Sequence, residues 1–475
     1  MLALTMGGCA SLAPHYERPH LPVPEAYPAD APPAGPASAA QTDWRDYFAD
    51  ARLQALIQQA LDHNRDLRIA AQRVEEARAT YGIQRADQFP TISTGATYAR
   101  FRAPGGLLTG APLVASLYDI GLTQSSWELD FWGRVRSLKD AALEDFLASD
   151  ASRRAMTLSL ITQVADSYLT LRELDERIAL TRETISSRTE SLRIFRRRYQ
   201  VGAISKLDLT QSEILLQQAE TLGAQLQQSR ASAAHALDLL VGAPADLQPA
   251  PESLDDASML RELGAGLPAD LLENRPDIVA AEHQLRAANA NIGAARAAFF
   301  PRITLTSSLG TGSTELHSLF ASGSLAWDFM PSISLPIFDG GRNRNNLELA
   351  QARSTEAVAQ YEKTIQSAFR DVADALSDRQ WLTDQVQTER DTLAAQTERA
   401  RLARLRYDNG ATPFLEVLDA QRDLLNAQQQ LVQTRRALLS SRVALYSALG
   451  GDVSHAAEAL TPRSDERPVK QDPLP

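Results

Sequence analysis

The side chains that most often carry chemistry in proteins are scattered in this chain. The seven histidines include no pair at metal-ligand spacing, and no Gly-x-Ser-x-Gly motif marks a nucleophile. The segment Gly310–Gly312 lacks the remaining glycine of a dinucleotide-binding loop, and the single cysteine, Cys9, excludes an internal disulfide and a cysteine-rich metal site. The sequence therefore predicts no catalytic residue, no bound metal and no cofactor, and an enzyme is not expected.

Cys9 follows small residues close to the N-terminus, in the order Leu4-Thr5-Met6-Gly7-Gly8-Cys9-Ala10. This arrangement is similar to a lipobox, in which a signal peptide is removed and the cysteine is acylated. The apolar stretch at 1–6 is too short for a complete signal peptide, so residues 1–8 are interpreted as a signal-peptide remnant. The alternative is a chance cysteine in an unstructured tail.

One group of acidic side chains is brought together by its spacing. Glu416 and Asp419 lie three residues apart, and Leu415 and Asp419 lie four apart, shortly after Gly410. In a helix these intervals place all three side chains on one face. The simpler interpretation, acids at a solvated helix end, stays open from the spacing alone. The corresponding residues after an earlier glycine, Gly202, are Leu207 and Asp208.

Charge and hydropathy exclude two classes of protein. The net charge of −11 argues against a nucleic-acid partner, because binding phosphates requires a net basic surface. No run of 18 or more apolar residues occurs, so no transmembrane helix is predicted. A role in a membrane would therefore depend on β-strands or on a lipid.

Two unusually long stretches must position the acidic residues. Residues 134–201 and 342–409 contain neither glycine nor proline, and each is 68 residues long. Because these two residues are the main helix breakers, each stretch is predicted to be one helix of roughly 100 Å. Each ends at a glycine that can adopt the left-handed cap conformation, Gly202 or Gly410. Return helices are predicted near 205–241 and 413–449.

The second return helix has a heptad pattern. Leucine recurs every seven residues, and a small residue follows each leucine after three positions. Large residues alternating with small ones favour close antiparallel packing against the long helix. The leucines are Leu424, Leu431, Leu438 and Leu445, and the small residues are Ala427, Thr434, Ser441 and Ala448.

The motifs occur twice in the same order, which indicates an internal duplication. Phe89-Pro90 corresponds to Phe300-Pro301, and Arg198-Tyr199 corresponds to Arg406-Tyr407. We assign the repeats to residues 51–243 and 272–451. The remaining segments are a proline-rich extended arm and lipid anchor at 9–50, a linker at 244–271 and a polar tail at 452–475.

Each repeat also contains a helix followed by two strand candidates. The helices are predicted near 62–88 and 272–299, and the strands near 91–102, 117–131, 302–312 and 325–338. Leu325, Trp327 and Phe329 share one strand face, as expected for a sandwich or for a barrel wall against lipid. The second strand is irregular, because Tyr118, Ile120 and Leu122 are out of phase with Trp127, Leu129 and Phe131.

Several motifs together resemble the TolC-like outer-membrane efflux proteins. They are Trp127-Glu128-Leu129-Asp130-Phe131-Trp132-Gly133-Arg134, the Arg-Tyr-x-x-Gly turns, and Leu335-Pro336-Ile337-Phe338-Asp339-Gly340-Gly341-Arg342. With Cys9, the resemblance points to the lipoprotein branch typified by OprM and NodT. It implies a mainly α fold with a small β part, in which duplicated long-helix hairpins form an α-barrel. Four strands per chain would contribute to a trimeric 12-stranded β-barrel.

The resemblance implies the exit duct of a tripartite efflux system, which passes small molecules such as drugs outward by gated passive passage. The protein would be a homotrimer in the outer membrane of a Gram-negative bacterium, anchored by acylated Cys9. Its partners would be a periplasmic adaptor (membrane fusion) protein, an inner-membrane pump of the RND type and outer-membrane lipid.

The resemblance also implies roles for the helix ends. Leu415, Glu416 and Asp419 would form the closed periplasmic gate, with Leu207 and Asp208 as weaker candidates. The tip and the adaptor contact would be formed by Arg198, Tyr199, Gly202, Arg406, Tyr407 and Gly410. Alternative functions are a duct for metal ions or secreted proteins and, in a different class, a soluble coiled-coil scaffold.

Overall fold

The computed structural model describes residues 11–24, 27, 42–104, 112–249, 260–261, 263 and 270–453. The predicted acylation site Cys9 and nearly all of the predicted tail lie outside these residues. The elements follow in the order α1 (Trp44–Tyr47), α2 (Ala51–His63), α3 (Arg65–Ala86), β1 (Ile92–Ala103), β2 (Leu113–Glu128), α4 (Arg134–Gln200), α5 (Lys206–Val241), α6 (Leu271–Asn274), α7 (Pro276–Ala297), β3 (Arg302–Ser313), β4 (Leu325–Ser334), α8 (Arg342–Asp408) and α9 (Phe414–Ala448).

The duplicated architecture predicted from the sequence is present in the helices and strands. Each half contains a helix of 22 residues, two strands, a helix of 67 residues and a return helix of 35 or 36 residues. The predicted fold class, mainly helical with a small strand part and two long-helix hairpins, is confirmed. None of the helices in the described part of the chain combines the length and the apolar character that crossing a bilayer requires.

The differences from the predicted elements have local causes. Strand β4 ends at Ser334, four residues before the predicted end, and the segment that follows contains Pro336. A separate helix α2 precedes α3, because Asn64 caps α3 by accepting a hydrogen bond from the backbone N–H of Leu67 at 2.9 Å. Within the range assigned to the extended arm, α1 forms one helical turn with Trp44 buried.

The chain divides into two compact units. Among the described residues, unit 1 comprises those within 11–20, 73–150 and 280–362, and unit 2 comprises those within 21–72, 151–279 and 363–453. Unit 1 therefore holds the strands with the adjoining parts of four helices. Unit 2 holds α1, α2, α5, α6, α9 and the glycine turns of both hairpins.

The strands of unit 1 form one antiparallel sheet in the order β1-β2-β3-β4. In its register Leu122 lies opposite Leu309, which lies opposite Trp327, so these three side chains share one face. The apolar face is defined by the exposed residues Ile92, Tyr98, Val114, Leu122, Leu309, Leu325, Trp327, Phe329 and Ile333. The polar face is defined by Asp119, Thr123, Thr304, Thr306, Ser308 and Asp328.

A β-bulge explains the irregular phase of β2. The register shifts between Gln124 and Trp127, and Ser126 between them has a φ of 53°. The bulge inserts an extra residue, so Trp127 returns to the face that carries Leu122 although the two differ in parity. The out-of-phase pattern in the sequence was thus the signature of this bulge.

The helices of unit 2 pack through the predicted heptad. Leu431 and Leu438 of α9 form a buried cluster with Val386 of α8, and the small residues Thr434, Ser441 and Ala448 are buried as well. A second buried group connects α1 to the end of α9, where the Tyr47 and Tyr446 rings stack with centroids 4.5 Å apart. These contacts place the hairpin of α8 and α9 beside the N-terminal elements of the same unit.

Candidate functional site

The two hairpins of unit 2 turn through the same backbone geometry. Gly202 has a φ of 75° and Gly410 a φ of 70°. Their N–H groups donate to the carbonyls of Tyr199 and Tyr407, each at 2.9 Å. A Cβ at either glycine would meet no atom within 4 Å, so the positive φ rather than crowding accounts for glycine there.

A buried apolar cluster joins the two hairpins behind these turns. The Phe195 ring of α4 and the Phe414 ring of α9 lie with centroids 4.0 Å apart, and Tyr407 lies 5.0 Å from Phe414. Leu209 of α5 belongs to the same buried cluster. Since all four long helices contribute to this cluster, the tip is a packed unit rather than four separate helix ends.

Polar contacts link the same turns at the surface. The Arg198 guanidinium donates to the Tyr407 hydroxyl at 2.8 Å, which connects the first hairpin to the second. Arg406 forms an ion pair with Glu416 at 2.9 Å, and Lys206 lies 5.5 Å from the centre of the Tyr199 ring. Of the two tyrosines predicted at the tip, Tyr407 therefore bridges the hairpins, whereas Tyr199 stays near its own turn.

The predicted gate residues lie together at this tip with different exposures. Leu415 and Leu207 are exposed, at 48% and 66% of their surface, although each adjoins the buried cluster in sequence. Asp419 forms an ion pair with Arg422 at 3.2 Å, and Glu416 contacts the Thr412 hydroxyl in addition to Arg406. The carboxylates of Glu416 and Asp419 are thus paired within the chain, whereas the side chains of Leu415 and Leu207 are exposed.

Asp208 forms hydrogen bonds with Ser205, which precedes it by three residues. Its carboxylate accepts the backbone N–H of Ser205 at 3.1 Å and the Ser205 hydroxyl at 2.7 Å. In return the Ser205 hydroxyl oxygen accepts the Asp208 N–H, which completes a capping box at the start of α5. Asp208 therefore has a structural role as an N-cap partner, in addition to its predicted place in the gate.

An ion pair that was not predicted from the sequence connects α8 to α9 near the tip. Arg399 of α8 donates to the Asp423 carboxylate at 2.7 Å, and Arg422 lies 3.1 Å from the other oxygen. The hydrogen bonds from Arg399 and Arg422 lower the pKa of the Asp423 carboxyl below its usual range. Asp423 follows Asp419 by four residues, so the sequence predicts that both lie on the same helix face. The sequence does not predict the partner of Asp423 on α8.

A second unpredicted site fixes the N-terminal arm to α7 in unit 1. The Arg296 guanidinium donates to the Leu12 carbonyl at 3.1 Å, and the Asn289 amide donates to the Pro14 carbonyl at 2.9 Å. The arm thus runs along α7 from its C-terminal end, which precedes β3, toward its middle.

The arm is held further along by a group that we call the clasp, defined as Tyr16, Arg18, Glu282 and Arg286. Buried Glu282 accepts from Arg18 at 2.9 and 3.2 Å, from Arg286 at 2.7 Å and from the Tyr16 hydroxyl at 3.1 Å. Burial by itself would raise the pKa of the Glu282 carboxyl, but the hydrogen bonds from Arg18 and Arg286 outweigh it and lower that pKa. The prolines predict an extended arm, but they do not indicate that Arg18 binds Glu282, 264 residues away.

The tip and the clasp are held together by hydrogen bonds and ion pairs. Among the residues that the structure describes, no three His, Cys, Asp or Glu side chains converge as a metal site. The tip combines exposed leucines, paired charges and a packed core. The tip therefore presents apolar side chains to solvent beside charges that are already paired within the chain.

Comparison with known proteins gives matches along nearly the whole chain. The family model described as outer membrane efflux protein matches residues 56–243 and 267–451, the two repeats in turn. The outer membrane protein OprJ of Pseudomonas aeruginosa is 45% identical over 424 residues, which is 89% of this chain and 88% of OprJ. The toluene efflux pump outer membrane protein TtgC of Pseudomonas putida is 43% identical and covers 94% of each chain.

The solved structures agree with the sequence matches. The open state of the MtrE outer membrane channel of Neisseria gonorrhoeae superposes with a TM-score of 0.84 at 39% identity, covering 93% of this chain and 98% of that one. The CmeC outer membrane channel of Campylobacter jejuni gives a TM-score of 0.87 at 26% identity, with coverages of 95% and 98%. Because the family model matches both repeats, and OprJ and TtgC are 43–45% identical to this chain over most of their length, the chain belongs to the outer membrane efflux protein family.

Proposed function

We propose that this protein is the exit duct of a tripartite efflux system, passing small molecules through the periplasm and the outer membrane. The observation that carries the proposal is the match of both repeats to one family of outer membrane efflux proteins. Relatives are named for the efflux of toluene, of solvents and of antibiotics, so the cargo proposed here is small and often apolar. Passage is by gated diffusion, and no enzymatic step is involved.

The duct would be a homotrimer. The sheet of one chain is open, because β1 and β4 are its outermost strands and each has a neighbour on one side only. Exposed strand edges pair readily with further strands, and a barrel removes them altogether. Three copies would supply twelve strands, with the apolar face toward lipid and the polar face toward the lumen. The hairpins of three chains would then line a continuous helical tunnel.

The gate would lie at the tip of the hairpins. Exposed Leu415 is flanked by buried Phe414 and Val417, so it projects away from the cluster that joins the hairpins. Three copies of Leu415 and Asp419 would converge on the axis as an apolar ring and an acidic ring, with Glu416 beside them. The Arg198–Tyr407 hydrogen bond between the hairpins and the Arg406–Glu416 ion pair within the second hairpin would hold the tip in one arrangement until they are broken.

The anchor is proposed beside the sheet of unit 1, and the partner contact at the glycine turns of unit 2. Cys9 precedes Leu12 by three positions, a chain length of at most about 10 Å, and the Leu12 carbonyl accepts from Arg296 at the end of α7 that precedes β3. An acyl chain on Cys9 would enter lipid close to the start of the sheet. The periplasmic adaptor, which connects the duct to an inner-membrane pump of the RND type, would contact the turns at Gly202 and Gly410.

The function is tested by expression in a Gram-negative strain that lacks its own outer-membrane efflux channel but retains an adaptor and a pump. We expect tolerance to toluene and to antibiotics to rise, and the rise to disappear when the pump is deleted. A Cys9→Ala variant carrying a cleavable signal peptide should reach the outer membrane without its acyl group. Failure of the wild type to restore tolerance with several adaptor and pump pairs would contradict the proposal.

A further inference from the structure

Two arginines stand at one end of the apolar face of the sheet. Arg100 and Arg102 of β1 are exposed, and the register places Arg100 opposite Ser116 and Arg102 opposite Val114. Alternate residues of a strand share a face, so both arginines point to the same side as Tyr98. They are the basic residues on a face that is otherwise apolar or uncharged in the described strands.

The length and tilt of β1 give the position of these arginines across the membrane. From Ile92 to Arg100 the chain advances eight residues, or about 26 Å, and Arg102 lies about 33 Å along. With a strand tilt of about 40°, these positions correspond to roughly 20 and 25 Å across the membrane, and the apolar band of such barrels is about 25 Å tall. The two guanidinium groups therefore come at the boundary between hydrocarbon and headgroups, on the side of the β1–β2 connection.

An aromatic pair lies next to these arginines, on the hydrocarbon side of them. The Tyr98 and Tyr118 rings face each other across β1 and β2, with centroids 4.8 Å apart. Tyrosine at a membrane interface keeps its ring in the apolar region and its hydroxyl toward the headgroups. Arg100 lies one step beyond Tyr98 along the same face, toward water.

The charges of these arginines are not balanced within the described chain. Neither side chain has a hydrogen bond or an ion pair to another described residue, and residues 98–118 contain no aspartate or glutamate. The next acid, Asp119, lies opposite Thr97 on the polar face, and Glu315 of the other connection lies 3.3 Å from His317. Two exposed guanidinium groups without a carboxylate nearby, placed beside lipid headgroups, are suited to bind an anion from outside the chain.

We infer that Arg100 and Arg102 form a site for the phosphate groups of a lipid headgroup. Arginine binds phosphate through paired N–H donors, and the two side chains lie two residues apart on one strand, about 7 Å. The inference rests on the proposed function, in which the hairpin helices lie in the periplasm and the β1–β2 connection faces outward. The lipid of that leaflet is a phosphorylated glycolipid, so the occupant is the phosphorylated head of lipid A.

The site is tested with purified trimer that has been stripped of lipid in a mild detergent. The melting temperature is measured against increasing diphosphoryl lipid A for the wild type, for an Arg100→Gln/Arg102→Gln variant and for an Arg353→Gln control. Arg353 is an exposed arginine of α8, so the control removes a charge elsewhere in the same unit. We expect the wild type and the control to be stabilised alike, and the double variant to need at least about tenfold more lipid A, because it loses the charge-assisted hydrogen bonds from both guanidinium groups to the phosphates.

Three outcomes would overturn the site. One is equal stabilisation of the double variant by lipid A, and another is equal stabilisation of the wild type by millimolar inorganic phosphate. The third is dissociation of the double variant into monomers without lipid, since the arginines would then hold neighbouring chains together. A wild type that is trimeric and conducts ions while its arginine variant binds lipid A normally would refute this site alone. A wild type that forms no trimer and no channel would instead refute the proposed function.

Discussion

Replacing Glu282 by alanine should free the N-terminal arm while the rest of unit 1 stays folded. Glu282 is the common acceptor of the clasp, so its removal breaks the contacts to Arg18 and Tyr16 in one step. A charge-assisted hydrogen bond contributes about 1.5–3 kcal/mol, and Arg18 is 43% exposed, which favours the lower figure. With about 1 kcal/mol for the tyrosine, the arm should lose about 2–3 kcal/mol of docking free energy, a rise of about 30- to 140-fold in the undocked population.

The assay is limited proteolysis of the folded protein with chymotrypsin, which cuts after Tyr16. When reclosing is fast, the cleavage rate follows the population of the open arm, so the rate should rise by the same factor. The matched control is Glu348→Ala, which removes an exposed ion pair to Arg344 in the same unit and should change the rate by less than about twofold.

A second variant opens the arm without changing a charge. A Cβ at Gly293 would lie 2.8 Å from the backbone nitrogen of Ala13 and 2.7 Å from the Ser137 hydroxyl, so Gly293→Ala should also displace the arm. Equal cleavage rates in Glu282→Ala, Gly293→Ala and the control would show that the clasp does not hold the arm, and the reasoning would be wrong.

Three further predictions concern the tip and pH. Phe414→Ala should destabilise unit 2 by about 3–5 kcal/mol, because Phe414 is almost fully buried against Phe195; a melting temperature like that of wild type would contradict this. Gly410→Ala should cost about 1–2 kcal/mol from its positive φ alone, measured as a smaller drop in melting temperature than that of Phe414→Ala. The pKa of Glu282 is lowered in the folded chain, so its contribution to arm docking is complete above the ordinary glutamate pKa of about 4.3 and is lost as pH falls through the lowered value. Hydrogen exchange in residues 12–18 should therefore rise, relative to the intrinsic rate, only at pH below about 4, and protection that is lost already at pH 6 would argue against a carboxylate clasp.

Much of the fold was predictable, because the helix ends and the strand positions follow from local sequence. The two long helices were predicted within one residue at their ends, since the absence of glycine and proline and the closing glycines are local signals. The strands were located by their period of two, and the bulge at Ser126 was already visible as a change of phase. The heptad leucines correctly indicated which face of α9 meets α8.

The contacts of the sites were less predictable, because their partners are distant in sequence. Arg198 and Tyr407 were both assigned to the tip, yet nothing local indicates that they bind each other. The clasp joins residues more than 260 positions apart, and its proline-rich arm has no periodic pattern to report where it docks. Local sequence indicates on which face of a helix a residue lies. Its ion-pair partner depends on how the helices pack, which local sequence does not give.

The central claim, a duct gated at the hairpin tip, is tested most directly by single-channel conductance of the purified protein in planar bilayers. Wild type is compared with Leu415→Ala and Asp419→Ala, and with Leu239→Ala, an exposed leucine at the far end of α5, as the control. We predict a small resting conductance in the wild type and the control, and a larger one in both tip variants. Conductance that is unchanged in the tip variants would remove the gate from this position, and a well-folded trimer that forms no channel would contradict the duct itself.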